Sequence, residues 1–205
     1  MARQRIVVLD MEGVVVPEIW IAVAERTGID ALRRTTRDEP DYDVLMKYRL
    51  ELLAEHGLTM SLITEVLAGL DPLPGARAFL DELRSRHPVV LLSDTFEQFA
   101  AALGPKLGLP AILCHRLEVD EASDRITGYR LRMADQKRAA VEAFRSLHYE
   151  VRAAGDSYND TSMLLAADAG YLFRAPPNVI ADFPQLDAID AYDDLLARLT
   201  ADGVV

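Results

Sequence analysis

The sequence predicts a doubly wound α/β protein, a mostly parallel sheet with helices on both faces and an inserted helical cap. Short apolar runs of strand length alternate with amphipathic runs of helix length, the pattern of strand–helix–strand crossovers. One block, 17–74, holds several helical runs and no strand, far more chain than a single crossover needs. Polar residues cluster just after the apolar runs, at the strand ends where open α/β sheets bind ligands.

Taken in order, the first strand is 6–9, an apolar run suited to burial on both faces. Asp10 and Glu12 interrupt that run before it resumes at Val14, although burying an unpaired carboxylate costs several kcal/mol. Helical patterning follows over about 18–27, 41–56 and 60–70, and the Pro- and Gly-containing run 71–75 reads as a turn. Next come a helix over 75–87, a buried strand over 89–92 closed by Ser93 and Asp94, and a helix over about 96–107. Residues 111–114 form a short strand, and 116–132 alternate around a polar turn as a β-hairpin. A helix over 136–147 begins beside Lys137. A third strand, 151–154, ends at Gly155 and Asp156; a helix after Asp160, a strand over 169–173 and a helix near 193–200 complete the series. The expected organisation is a core of 1–16 and 75–205 with a cap of 17–74 rooted after the first strand, over the carboxyl edge of the sheet.

Composition narrows the partners. In 205 residues, a formal charge of −11 argues against a nucleic-acid groove or an anionic membrane surface. Cys114 is the only cysteine, so no disulfide can form within the chain, and a reducing, cytoplasmic location is expected. The basic start is followed by too short an apolar run for a signal peptide or a membrane span. Small molecules are the expected partners; sheet edges and cap faces leave room for a homodimer.

In this topology Asp10 and Glu12, Ser93 and Asp94, Lys137, and Asp156 converge on one sheet edge. Those motifs, in that order, resemble the haloacid dehalogenase (HAD) superfamily of aspartyl-phosphate enzymes, whose core is HAD-like and Rossmann-type. Residues 15–20, 46–53 and 155–164 are similar to its phosphoserine phosphatase branch, and more narrowly to the bifunctional phosphoserine phosphatase/homoserine phosphotransferase type.

The resemblance implies a chemistry. Asp10 is the nucleophile that becomes an aspartyl phosphate. Mg²⁺ is the cofactor, held by Asp10, Asp156 and position 12, usually through its backbone carbonyl. Asp160 supports it, and Ser93 and Lys137 hold the phosphoryl oxygens. Glu12 is the acid and base; the wider family carries Asp there, and Glu marks the subtype. Glu18 faces the substrate ammonium and Arg49 its carboxylate, with Asp94 and Asn159 completing the pocket. Glu18 stands eight residues after Asp10, where the broader branch has nine. Rival functions are a phosphatase for another small metabolite and a non-enzymatic phospho-acceptor or metal-binding regulator.

Each of these residues also has a structural reading. Ser93, Asp94 and Thr95 suit a helix N-cap, and Asp10 with Glu12 suits a strand-end turn. Asp156 and Asp160 suit a turn and cap. Lys137 would be a surface residue, and its first-turn position opposes the helix dipole. Glu18 after Pro17 would be a first-turn acid, and Arg49 a solvated helix residue. His56, His87, His115 and His148 show no ligand spacing and are assigned to structure, as are Trp20 and Tyr48.

Overall fold

The computed structural model describes residues 3–202 apart from 37 and 40. Its sheet has seven strands in the order β4-β3-β2-β1-β5-β6-β7. They are β1 Arg5–Leu9, β2 Val89–Phe96, β3 Ala111–Asp120, β4 Arg125–Arg130, β5 Glu150–Gly155, β6 Ala169–Phe173 and β7 Asp187–Ile189. All neighbours are parallel except β3 and β4, which form an antiparallel hairpin.

The sheet is doubly wound because β1, after Arg5, is apolar on both sides of the pleat. Its Val7 and Leu9 face one core and Ile6 and Val8 the other, as alternation along a strand requires. On the first face lie α4 (Ala76–Arg86) and α9 (Tyr192–Thr200). On the second lie α6 (Gln136–Ser146), α7 (Thr161–Ala166) and α8 (Pro177–Asp182).

Between β1 and α4 the described chain is helical: α1 Ile19–Thr27, a short 3₁₀ turn at Asp30–Arg33, α2 Tyr42–Glu55 and α3 Met60–Ala68. Asp41 caps α2 by accepting from the amides of Asp43 and Val44, and Thr59 caps α3 by accepting from Leu62. The apolar side chains of this segment share one cluster with Val7, Leu9 and Phe99. Trp20 sets its edge against Phe99 of α5 (Glu97–Leu103), with ring centroids 5.8 Å apart. The hairpin also reaches the segment. The Met60 amide donates to Asp124 O and the Ser61 amide to Asp124 Oδ2, both at 2.9 Å, and the Tyr129 hydroxyl bonds the Asp43 carboxylate.

Several expectations change. Ser93 and Asp94 do not end β2, which runs on to Phe96; residues 93–95 bulge out opposite Cys114 alone, between the pairs Leu92–Leu113 and Phe96–His115. Nor do Ser93, Asp94 or Thr95 cap a helix, because the cap position of α5 is Phe96 and no side chain bonds there. The strand at 111–114 and the first arm of the hairpin are one strand, β3, because the chain continues its pairing past the bulge. α8 and β7 escaped prediction: both are very short, and β7 is buried only at Ile189. No helix among the described residues is long and apolar enough to cross a membrane.

Candidate active site

The carboxyl ends of β1 and β5 and the bulge of β2 are adjacent in the sheet, and the N-terminus of α6 lies beside them. Lys137, 2% exposed on the first turn of α6, reaches across this edge. Its Nζ stands 2.9 Å from Asp10 Oδ1, 2.7 Å from Asp160 Oδ1 and 3.6 Å from Asp94 Oδ2. The surface reading of Lys137 therefore fails: carboxylates outweigh the helix dipole, and they hold its ammonium well above the ordinary pKa despite burial.

Asp160 is fully buried and uses both of its carboxylate oxygens. Its Oδ2 accepts from the amides of Asp156 at 2.9 Å and Ser157 at 3.2 Å, shaping the turn after β5, while Oδ1 takes Lys137. Its capping role and its place in the site are thus compatible. Asp10, Asp156 and Asp160 bring one carboxylate oxygen each within 4.8 Å of one another. Burial, then the charges of Asp160 and Asp156, push Asp10 well above the usual carboxylate range against the pull of Lys137. The buried carboxylates of Asp10, Asp156 and Asp160 form a hard-oxygen set suited to a divalent cation such as Mg²⁺. Gly13 closes the floor. Its φ is +76°, in the region that favours glycine, and a Cβ there would press into the Asp156 carboxylate.

Glu12 points elsewhere. Its Oε2 accepts the amide of Ile19, the first residue of α1, at 2.9 Å. Burial first, then the nearby charge of Glu18, raises its pKa to about 7, against the pull of the Ile19 amide, Arg49 and Lys137. Glu18 is the N-cap residue of α1, outside the first turn, and makes no side-chain capping bond there.

Arg49, on α2, is 6% exposed, so it is not a solvated helix residue. Its guanidinium lies 4.6 Å from the Trp20 ring centroid and donates to Arg34 O at 2.9 Å, while its buried Nε has no hydrogen-bond partner. Burial lowers its pKa to about 10, against the charges of Glu12, Tyr42 and Glu18.

Asp94 has partners on both of its carboxylate oxygens. Its Oδ2 accepts from Asn159 Nδ2 at 2.9 Å, and its Oδ1 from Gln136 Nε2 at 3.0 Å, with His115 Nε2 3.4 Å away. Burial opposes its charge, yet Lys137, His115, Asn159 and Gln136 hold it far below the usual carboxylate range. The Tyr42 hydroxyl donates to Asp94 O at 2.8 Å. Ser93 lies buried beside it, its Oγ accepting from the Thr95 amide.

One cleft contains Asp10, Glu12, Glu18, Arg49, Ser93, Asp94, Lys137, Asp156 and Asn159. Asp160 lies beneath it, behind Lys137. Trp20 and Tyr42 line the same cleft, and His115 and Gln136 stand behind Asp94. Sequence reasoning set Trp20 and His115 aside as structural and singled out neither Tyr42 nor Gln136. Gln136 had one signal, its place next to Lys137. The others meet the site only through the folded chain.

These features define a hydrolase of known lineage: residues 13–165 match the haloacid dehalogenase-like hydrolases, and the chain belongs to that family. It is 62% identical over 187 residues to the phosphoserine phosphatase ThrH of Pseudomonas aeruginosa, covering 91% of each chain. It is 59% identical over 187 residues to a phosphoserine phosphatase of Pseudomonas syringae pv. tomato, covering 91% of this chain and 78% of the relative. The fold is shared with a substrate-bound phosphoserine phosphatase complex, at a TM-score of 0.78 and 19% identity over 96% of this chain and 98% of that one. It is also shared with a phosphoserine phosphatase holding a phospho-aspartyl intermediate analogue, at 0.74 and 20% over 91% and 92%.

Proposed function

We propose that this protein is a Mg²⁺-dependent phosphoserine phosphatase that works through an aspartyl phosphate on Asp10 and also passes the phosphoryl group to homoserine. The observation that carries it is a buried Asp10 against Lys137 in the same cleft as Arg49 and Glu18. The identities to the two phosphoserine phosphatases support it. On this reading 17–74 is a cap over a core of 1–16 and 75–205.

Asp10, Asp156 and the backbone carbonyl of position 12 would hold Mg²⁺. Bound there, the ion would offset the repulsion between the Asp10 carboxylate and a phosphate dianion. Lys137 and Ser93 grip the phosphoryl oxygens. A carboxylate oxygen of Asp10 attacks phosphorus in line as the bond to the serine oxygen breaks. Glu12, with Oε2 anchored on the Ile19 amide, gives its proton to that oxygen, and Oε1 is the atom suited to carry it. A pKa near neutrality suits a group that must then take a proton back from the attacking water or alcohol. That attack releases phosphate, or the phosphorylated alcohol, and restores Asp10.

Arg49 brings a buried guanidinium with an unsatisfied Nε, and a substrate carboxylate would complete it. Removing one partner of a desolvated charge pair costs about 2–5 kcal/mol, roughly 30- to 5,000-fold. Arg49→Ala should therefore lose kcat/KM on O-phosphoserine by that order and far less on p-nitrophenyl phosphate, which has no carboxylate. Equal losses on the two substrates would remove the amino-acid assignment.

Homoserine carries the same ammonium and carboxylate as serine on a chain one methylene longer. An oriented hydroxyl can reach an effective molarity of about 10⁵ M or more, against about 55 M water. Adding homoserine to enzyme, Mg²⁺ and phosphoserine should divert phosphate into O-phosphohomoserine and lower free phosphate per serine released. A ratio that stays at unity across a wide homoserine range would leave a plain phosphatase.

A further inference from the structure

His115 is a histidine inside the fold with no place in the chemistry above. It sits on β3, 4% exposed, where the register resumes after the bulge of β2. Its Nδ1 lies 3.0 Å from the amide of Arg132. A backbone amide can only donate, so Nδ1 carries the lone pair, and the proton of a neutral ring is on Nε2. Nε2 faces Asp94 Oδ1 at 3.4 Å. Gln136 Nε2, 3.3 Å from that ring nitrogen, spends its two N–H groups on Asp94 Oδ1 and on Ser93 O, the latter at 2.6 Å. Both nitrogens are therefore donors converging on one carboxylate oxygen.

The other oxygen of Asp94 faces Asn159 and Lys137. One carboxylate thus ties the bulge of β2 and its Ser93 to β3, to α6 and to the turn after β5. Asp94 is a strut whose orientation sets where Ser93, Asn159 and Lys137 stand, and His115 is locked by a backbone bond that leaves its donor one direction only.

We propose that His115 is a positioning residue for the phosphoryl pocket, acting through Asp94 rather than on the substrate. The inference rests on the phosphatase reading, but not on phosphoserine as the substrate. It treats the two ring nitrogens as separable. Nδ1 holds the Arg132 backbone, a purely structural bond. Nε2 holds Asp94, the bond that matters for turnover.

Glutamine places its side-chain nitrogen near the Nε2 position and lacks the Nδ1 acceptor. Asparagine places its oxygen near Nδ1 and lacks the Nε2 donor. His115→Gln, His115→Asn and His115→Leu should be compared with wild type for kcat and KM on both p-nitrophenyl phosphate and O-phosphoserine, with melting temperatures measured alongside. His115→Gln is expected to keep most of the wild-type kcat. His115→Asn and His115→Leu should lose kcat by about 10- to 100-fold on both substrates, the scale of a small misplacement of catalytic groups, with KM changing less. Retention of kcat by His115→Asn with loss in His115→Gln would assign the residue to the Arg132 backbone and overturn the proposal, as would full activity in His115→Leu.

Should the leucine variant fail to fold, a cycle of His115→Gln, His115→Asn and Asp94→Asn answers instead. The asparagine loss at 115 should largely vanish in the Asp94→Asn background, and additive losses would overturn the proposal. A wild type active on p-nitrophenyl phosphate but not on phosphoserine would refute the substrate assignment alone. A wild type inactive on both would refute the two together.

Discussion

Asp10→Asn should leave a folded protein with no measurable turnover. The amide can still accept from Lys137, but it cannot form an acyl phosphate, and loss of a nucleophile costs about 10⁴-fold or more where it has been measured. Radiolabel from phosphoserine should be trapped on wild type and not on the variant. Stability should move the other way. Burial and the charges of Asp160 and Asp156 raise the Asp10 pKa in the folded, cation-free protein. Such a group favours folding fully below its unfolded value of about 4, and that contribution is lost as pH rises through the raised folded value. In EDTA at neutral pH, Asp10→Asn should therefore melt above wild type, and the difference should shrink towards pH 4. Mg²⁺ should raise the wild-type melting point and support activity, and the variant should gain less. Substantial turnover by clean Asp10→Asn protein would remove the nucleophile assignment.

Lys137→Met should be the most damaging substitution after it, for a different reason. Lys137 stands within 2.9 Å of both Asp10 and Asp160. Breaking a buried ion pair from one side typically costs about 3–5 kcal/mol, because the remaining charge has no partner. In EDTA at neutral pH, denaturant unfolding should register a loss of that order, and it should shrink in acid as Asp10, whose pKa is raised, takes up a proton. Mg²⁺ should recover part of the stability but not the activity. Loss of one donor to a developing charge costs about 10²–10³ in kcat. A Lys137→Met enzyme with near-normal kcat would place Lys137 in the scaffold alone.

Much of the fold was legible because the strongest signals are local. The run ending at Leu9 is apolar on both faces, and in the structure both faces are covered. The helical runs read over 41–56 and 60–70 lie within two residues of α2 and α3 at each end. The parallel order followed from the spacing of strands and helices. The extent of β2 did not, because a bulge is set by its partner strand and Ser93, Asp94 and Thr95 look like cap residues when read alone. Tyr42 and His115 were invisible for the same reason. His115 meets Asp94 only through the pairing of β2 with β3, and Tyr42 only through the packing of α2 over the cleft. Read from its helix alone Arg49 suits solvent, and the resemblance alone singled it out; in the structure Trp20 and the Arg34 carbonyl enclose it.

The β3–β4 hairpin holds the helical segment at two points: Tyr129 grips Asp43 in the first turn of α2, and Asp124 grips the amides of Met60 and Ser61 at the start of α3. A swing of the whole helical segment away from the sheet would have to break those bonds together, along with the bond from Tyr42 to Asp94. The hairpin turn, with Asp124 at φ +56°, thus ties a surface loop to the start of α3. Adding or deleting one residue there would slide Asp124 past Met60 and Ser61 and shift the start of α3, the helix that follows the one carrying Arg49. A change in the length of a surface loop would then read out as a change in which molecules fit, with every residue that touches them untouched.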